Sequence, residues 1–221
     1  MGNHTYSHGS LNKMGADAYI ADTARNDAEL RPLMKASGKA PVWFRHPYLE
    51  TGATLDDKHR FESWLSAHGY KVAPVTVENS DWMFALAYDE AVMRHDRREA
   101  RRIRTEYLDF TDRAVAWYRE AALQLLGRRP DLIFLLHDTR LNADTLGELV
   151  GILKRNHLAV ETLDEAMADP AYKISDDFAD PNGDEWLSRW AMTLHKDLPW
   201  ESFPAPPADI AAAEDRLDKD P

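Results

Sequence analysis

The chain has 221 residues, 44% of them apolar and 29% charged, with a formal net charge of −11. That acidity argues against nucleic acid or an anionic membrane as the main partner, since both call for a basic face. No apolar run is long enough to span a bilayer, and the absence of cysteine removes disulfides, thiolate metal sites and cysteine nucleophiles.

In chain order, residues 17–35 read as a helix, with Ala18, Ala21, Ala24, Ala28 and Leu33 near helical spacing and Gly38 closing it. Val42, Trp43 and Phe44 form a short apolar strand that runs into Arg45-His46-Pro47-Tyr48. Thr54 is an N-cap with Asp56 and Asp57 in the first turn, and its helix is expected to reach Gly69. A Val-rich strand is predicted over 70–77, then one long helix over 82–126. Ile103, Tyr107, Phe110, Ala114, Trp117, Ala121 and Leu125 make its buried face. Residues 132–136 are a fully apolar strand ending at His137-Asp138. A helix over 142–156, a strand over 158–162 and a short helix over 163–168 follow.

Continuous apolar strands alternating with helices imply a parallel sheet covered by helices, with the chemistry at the C-terminal ends of the strands. Beyond about Pro170 the alternation stops. Trp186, Leu187, Trp190 and Leu194 suggest a short amphipathic helix folded back on the body, and residues 204–221 read as a loose tail rich in Pro, Ala and Asp.

Four segments could carry chemistry. His4 and His8 stand four apart, a spacing that would let two rings of one helical turn share a metal ion. The plainer reading is two exposed residues in a frayed end. Arg45 follows a buried strand, where a guanidinium could orient a carboxylate, and Pro47 would fix the direction of the Tyr48 N–H, as an oxyanion hole requires. An ordinary strand-to-loop turn gives the same sequence. Asp81 could hold a histidine ring and Trp82 could wall a pocket, or Ser80 or Asp81 could simply cap the next helix. His137, at a strand end, is placed for general acid work or is a satisfied core histidine. The crowd of Arg94, Arg97, Arg98, Arg101, Arg102 and Arg104 is interleaved with Asp96, Glu99 and Glu106 and reads as a solvated helix face.

In this order, His4-Thr5-Tyr6-Ser7-His8, Arg45-His46-Pro47-Tyr48, Asp81-Trp82 and Leu135-Leu136-His137 resemble the polysaccharide deacetylase family, the chitin-deacetylase-like enzymes of carbohydrate esterase family 4. The resemblance covers residues 1–168 and implies an α/β fold, a distorted (β/α) barrel, with 169–221 as a C-terminal extension. It implies a divalent metal, Zn2+ or another such as Co2+, with His4 and His8 as ligands. Arg45 would orient the catalytic base, the Tyr48 N–H would steady the oxyanion, and Asp81 would tune His137 as general acid. Trp82 and Leu135 would wall the acetyl pocket, with His46 at its rim, where the family usually has a small residue or proline. The substrate class is an acetylated carbohydrate or a similar small amide or ester.

The family's Asp-Asp motif, which supplies the base and the third ligand, lies upstream of the two histidines, where this sequence has only Met1-Gly2-Asn3. The expectation is therefore an N-terminally incomplete barrel, a weakly held metal and impaired turnover. The alternatives are a non-catalytic remnant that binds saccharide and a half-barrel that self-associates through an uncovered sheet edge. Localisation is left open, although full-length relatives of this family are often exported.

Overall fold

The computed structural model describes residues 2–218. They form two compact units: one built from the chain up to Val75 together with Ile174–Thr193, the other from Thr76–Lys173 and the chain from Leu194 onward. The expected boundary at 168 does not coincide with this division, because residues 174–193 pack into the first unit.

In the first unit, strands β1 (Gly2–Asn3), β2 (Trp43–Phe44) and β3 (Lys71–Val72) make a parallel sheet in the order β1-β2-β3. Helices α1 (Leu11–Met14) and α2 (Ala16–Ala36) connect β1 to β2, and α3 (Leu55–Ala67) connects β2 to β3. The local signals explain these bounds. Thr54 accepts from the Asp57 N–H to start α3, and Ser10 accepts from the Lys13 N–H to start α1. Leu11, Tyr19, Phe44, Phe61, Leu65 and Tyr70 form the core between sheet and helices. Helix α8 (Trp186–Leu194) buries Trp186, Leu187 and Trp190 in the same unit.

The second unit is helical: α4 (Asp81–Met93), α5 (Arg97–Leu126), α6 (Arg140–Arg155), α7 (Leu163–Ala166) and α9 (Ala208–Leu217). The α5 face is the one the spacing predicts, with Ile103, Tyr107, Phe110, Ala114, Trp117, Ala121 and Leu125 all buried.

Several expectations need correction. Among the described residues no closed barrel forms; the parallel sheet stops at three short strands. The run 70–77 pairs as a strand only at Lys71–Val72, and 132–136 contributes a single parallel bridge, Phe134 to Val77. Among the described residues, 158–162 make no ladder, and Val160 is 72% exposed. The long helix is two helices. His95 turns the chain at φ +58, and Asp96 accepts from the N–H groups of Arg98 and Glu99 to cap α5. The tail is not loose over 208–217. There α9 packs on α4 with Ile210 and Ala213 buried, and Arg216 grips Glu90 through both guanidinium nitrogens. Residues 219–221 of that tail lie outside the described residues. Within the arginine crowd, whose expected solvated face stands, Arg102 pairs with Glu99, Glu106 and Asp209, and Arg104 with Glu148.

Candidate active site

The chain leaves β1 through a tight loop that carries both N-terminal histidines. Asn3, 1% exposed, anchors its start: its Oδ1 accepts from the Thr5 N–H at 3.0 Å and from Asn26, and its Nδ2 donates to the Thr23 carbonyl. Thr5 and His8 take positive φ, +64° and +56°, so the pair is not one turn of a helix. Asp22, on α2, closes the loop by accepting from the N–H groups of Tyr6 and Ser7, each at 3.0 Å. Arg25 lies 3.5 Å over the Tyr6 ring. The loop thus brings the His4 and His8 rings to 5.0 Å centroid separation, edge to face.

Each ring is oriented from behind. His4 Nδ1 meets the Arg45 carbonyl at 2.7 Å, and a carbonyl can only accept, so Nδ1 carries the proton. Nε2 is then the basic nitrogen. His8 Nδ1 shares a hydrogen bond of 3.2 Å with the Tyr48 hydroxyl, and their rings meet at 4.8 Å. A backbone carbonyl or hydroxyl behind Nδ1 is how proteins commonly fix a metal-binding histidine. The donor set therefore suits two ligands of a divalent cation, and no cluster of three or more such groups occurs among the described residues.

The second segment sits at the end of β2. Arg45 donates from its backbone N–H to Asn3 and from Nε to the Ala73 carbonyl at 3.3 Å, so its stem is fixed across the sheet. Pro47–Leu49 is one turn of 3₁₀ helix in which Tyr48 (φ +56) and Leu49 (φ +55) are both left-handed. Such conformations are costly for non-glycine residues and persist only where the surroundings enforce them. Here the enforcement comes from residues 174–193. A Cβ placed on Gly183 would lie 2.1 Å from the Tyr48 carbonyl oxygen, so only glycine allows this approach. Arg189, fully buried, donates to Thr51 at 2.9 Å and pairs with Asp176 and Asp180, while Asp180 bridges Gly52.

His46 does not stand at a pocket rim. It is 3% exposed, stacked parallel to Tyr19 and edge-on to Phe44 and Phe61. Burial, with the Arg189 and Lys58 charges adding to it, lowers its pKa from 6.5 to about 3. It is a neutral core histidine, because its side chain turns inward where those of Arg45 and Tyr48 do not.

In the second unit, Asp81 is the first residue of α4 and 1% exposed. Neither it nor Ser80 caps the helix by a side-chain bond; Ser80 takes φ +51. The carboxylate instead receives the His137 backbone N–H and the His137 Nδ1, both at 2.7 Å. The His137 side chain is 41% exposed. Trp82, half-buried, places its ring 5.9 Å from that of His137. Leu135, also half-buried, is fixed by its N–H to the Val77 carbonyl at 3.0 Å. So Asp81, Trp82 and His137 converge here, as His4, His8, Arg45 and Tyr48 do in the first unit.

The sequence reading missed the props behind both clusters: Asn3 and Asp22 for the histidine loop, Gly183 and Arg189 for the Tyr48 turn, and Asn142 for the Asp81 carboxylate, to which it donates at 2.5 Å. No local pattern marks them, since each acts on a partner at least 15 residues away, Asn3 excepted.

Compared with known proteins, residues 1–72 match the polysaccharide deacetylase family model. Searches of curated proteins and of solved structures return no match. The matched stretch holds the sheet, the two-histidine loop and the Tyr48 turn, and over residues 1–72 the chain is similar to the polysaccharide deacetylase family.

Proposed function

We propose that the protein is a metal-dependent hydrolase that removes acetyl groups from N- or O-acetylated carbohydrates, or from a similar small amide or ester. The observation that carries this reading is the paired orientation of His4 and His8 inside the family-matching stretch. Each ring is held at Nδ1, His4 by the Arg45 carbonyl, which presents its Nε2 as the basic nitrogen, and His8 by the Tyr48 hydroxyl. Zinc or cobalt held there would supply Lewis acidity and an acidified water. Arg45 places a cation near the same strand end, where it would orient a carboxylate base, and the Tyr48 turn would offer its N–H to the developing oxyanion. Asp81 holds the proton-bearing Nδ1 of His137, so Nε2 is the atom that exchanges a proton with the leaving group. Trp82 and Leu135 are the apolar residues suited to an acetyl methyl.

The test is acetate release from chitooligosaccharides, acetylxylan and a small aryl acetate with added zinc or cobalt. Turnover that falls in His137→Ala by about 10²–10⁴-fold in kcat with KM little changed supports the reading. Turnover indifferent to His137 and to the pair His4→Ala, His8→Ala sinks it. A zinc titration against a chromophoric chelator provides the binding arm, and affinity unchanged in the double variant removes the metal from these residues.

A further inference from the structure

His137 is the exposed end of a buried hydrogen-bond chain that runs from α4 through α6 to α5. Asp81 Oδ2 accepts from Asn142 Nδ2 at 2.5 Å, and the same amide nitrogen donates to the His137 carbonyl at 2.8 Å. Asn142 Oδ1 meets the Tyr107 hydroxyl at 2.5 Å. The Tyr107 oxygen in turn accepts from Asn79 Nδ2 at 2.9 Å, and that nitrogen also reaches Thr111 Oγ1 at 3.0 Å. Asn142 is 7% exposed, Asn79 1%, and Tyr107 and Thr111 are fully buried.

The direction of every bond follows from the acceptor end. A carboxylate and a backbone carbonyl can only accept, so both Asn142 N–H groups point at Asp81 and at His137. Asn142 Oδ1 is then the only atom left for Tyr107, and it cannot donate, so the tyrosine gives its proton to Asn142. With that proton committed, the tyrosine oxygen must accept, and Asn79 must turn its NH2 toward it. The consequence is visible at the far end: Asn79 Oδ1 is buried with no hydrogen-bond partner among the described residues. A side chain free to choose would not leave a buried oxygen orphaned. The chain has one polarity, toward Asp81, and Asp81 has one remaining use, to accept from the His137 ring.

We infer that Asn142 and Tyr107 are positioning residues that fix the His137 ring in the Nδ1–H tautomer, with Nε2 as the proton-exchanging nitrogen. Asn142 clamps both halves of the dyad at once, the carboxylate and the histidine backbone, and Tyr107 locks the amide that does so. The role as general acid rests on the proposed function; the tautomer does not.

The experiment is long-range 1H–15N correlation on the labelled 221-residue chain, with the His137 signals assigned by difference from His137→Gln. The wild type is expected to show a protonated Nδ1, a bare Nε2 and slow exchange of the Nδ1 proton with solvent. Asn142→Leu should speed that exchange by about tenfold or more and admit the Nε2–H tautomer, as loss of a hydrogen bond to a charged group would. Tyr107→Phe, which keeps the buried ring, should move both readouts in the same direction and less far. Unchanged tautomer and exchange in either variant, with the thermal melt cooperative, overturns the inference. Absence of acetate release beside the expected spectral shifts would defeat the deacetylase reading and leave this one standing.

Discussion

The His4–His8 loop and the Tyr48 turn, in the first unit, take their shape from backbone. Thr5, His8, Tyr48 and Leu49 all sit at positive φ, and the hydrogen bonds that hold the loop close on main-chain N–H groups. Asp81 and His137, in the second unit, are held by side chains: an aspartate, an asparagine and a tyrosine in a buried relay. A cluster of the first kind depends on whatever enforces the strained backbone. A cluster of the second kind depends on no single dihedral angle and fails when one polar group loses its partner.

That contrast can be broken at its strongest point first. Arg189→Ala should cost the first unit about 3–5 kcal/mol, because it strands the buried Asp180 carboxylate. Urea melts followed by tryptophan fluorescence read this directly, and a loss under 1 kcal/mol would mean that residues 174–193 do not enforce the Tyr48 turn. Gly183→Ala should follow at about 2 kcal/mol, from a Cβ pressed against the Tyr48 carbonyl and a φ of +73. The loss should come with weaker zinc binding, since the Tyr48 hydroxyl stands behind His8; full affinity at reduced stability would uncouple the two.

On the other side, Asp81→Asn faces the His137 and Asn142 donors with an amide. It should destabilise the second unit by about 1–3 kcal/mol, through a buried donor left unmatched. A neutral result in the same melt would show that the relay tolerates a broken link, against the contrast drawn above.

The smallest effect is one of pH. His46 is neutral in the folded chain down to about pH 3, whereas the unfolded chain takes up a proton near the ordinary histidine value of 6.5. A depressed histidine pKa means stability is unaffected above 6.5 and declines as pH falls from there toward 3. At about pH 5.5 the loss should be about 1 kcal/mol, and His46→Phe should lack it. Parallel pH curves for the two proteins would mean that His46 is solvated or paired.

Much of this was legible in the residues, and the failures have physical causes. Thr54 with Asp56 and Asp57 announces α3, and the seven-residue apolar face of α5 survives intact. The α4–α5 break was also written, as Asp96 followed three residues later by Glu99, a start signal hidden inside an unbroken apolar period. The strands were overread because an apolar run at 132–136 satisfies burial without a ladder, and periodicity cannot tell whether a partner strand exists. His46 was read by its neighbours in sequence, although the side chain between Arg45 and Pro47 turns into an aromatic core. The four-residue spacing of His4 and His8 suggests one helical turn, whereas a loop with Thr5 and His8 at positive φ brings the two rings together.

Unit composition has a consequence in time. The family-matching stretch and Val75 emerge from the ribosome well before Ile174, and the intervening Thr76–Lys173 belongs to the other unit. At the usual ~5–20 residues per second, the wait for residues 174–193 is roughly 5–20 s. Through that interval Lys58 has no Asp176, Tyr48 has no Gly183 at its back, and the left-handed turn has nothing to hold it. The second unit waits as well, since α9, which packs on α4, emerges only after residues 174–193 have closed the first unit, so each unit is completed by a segment made after the other has begun.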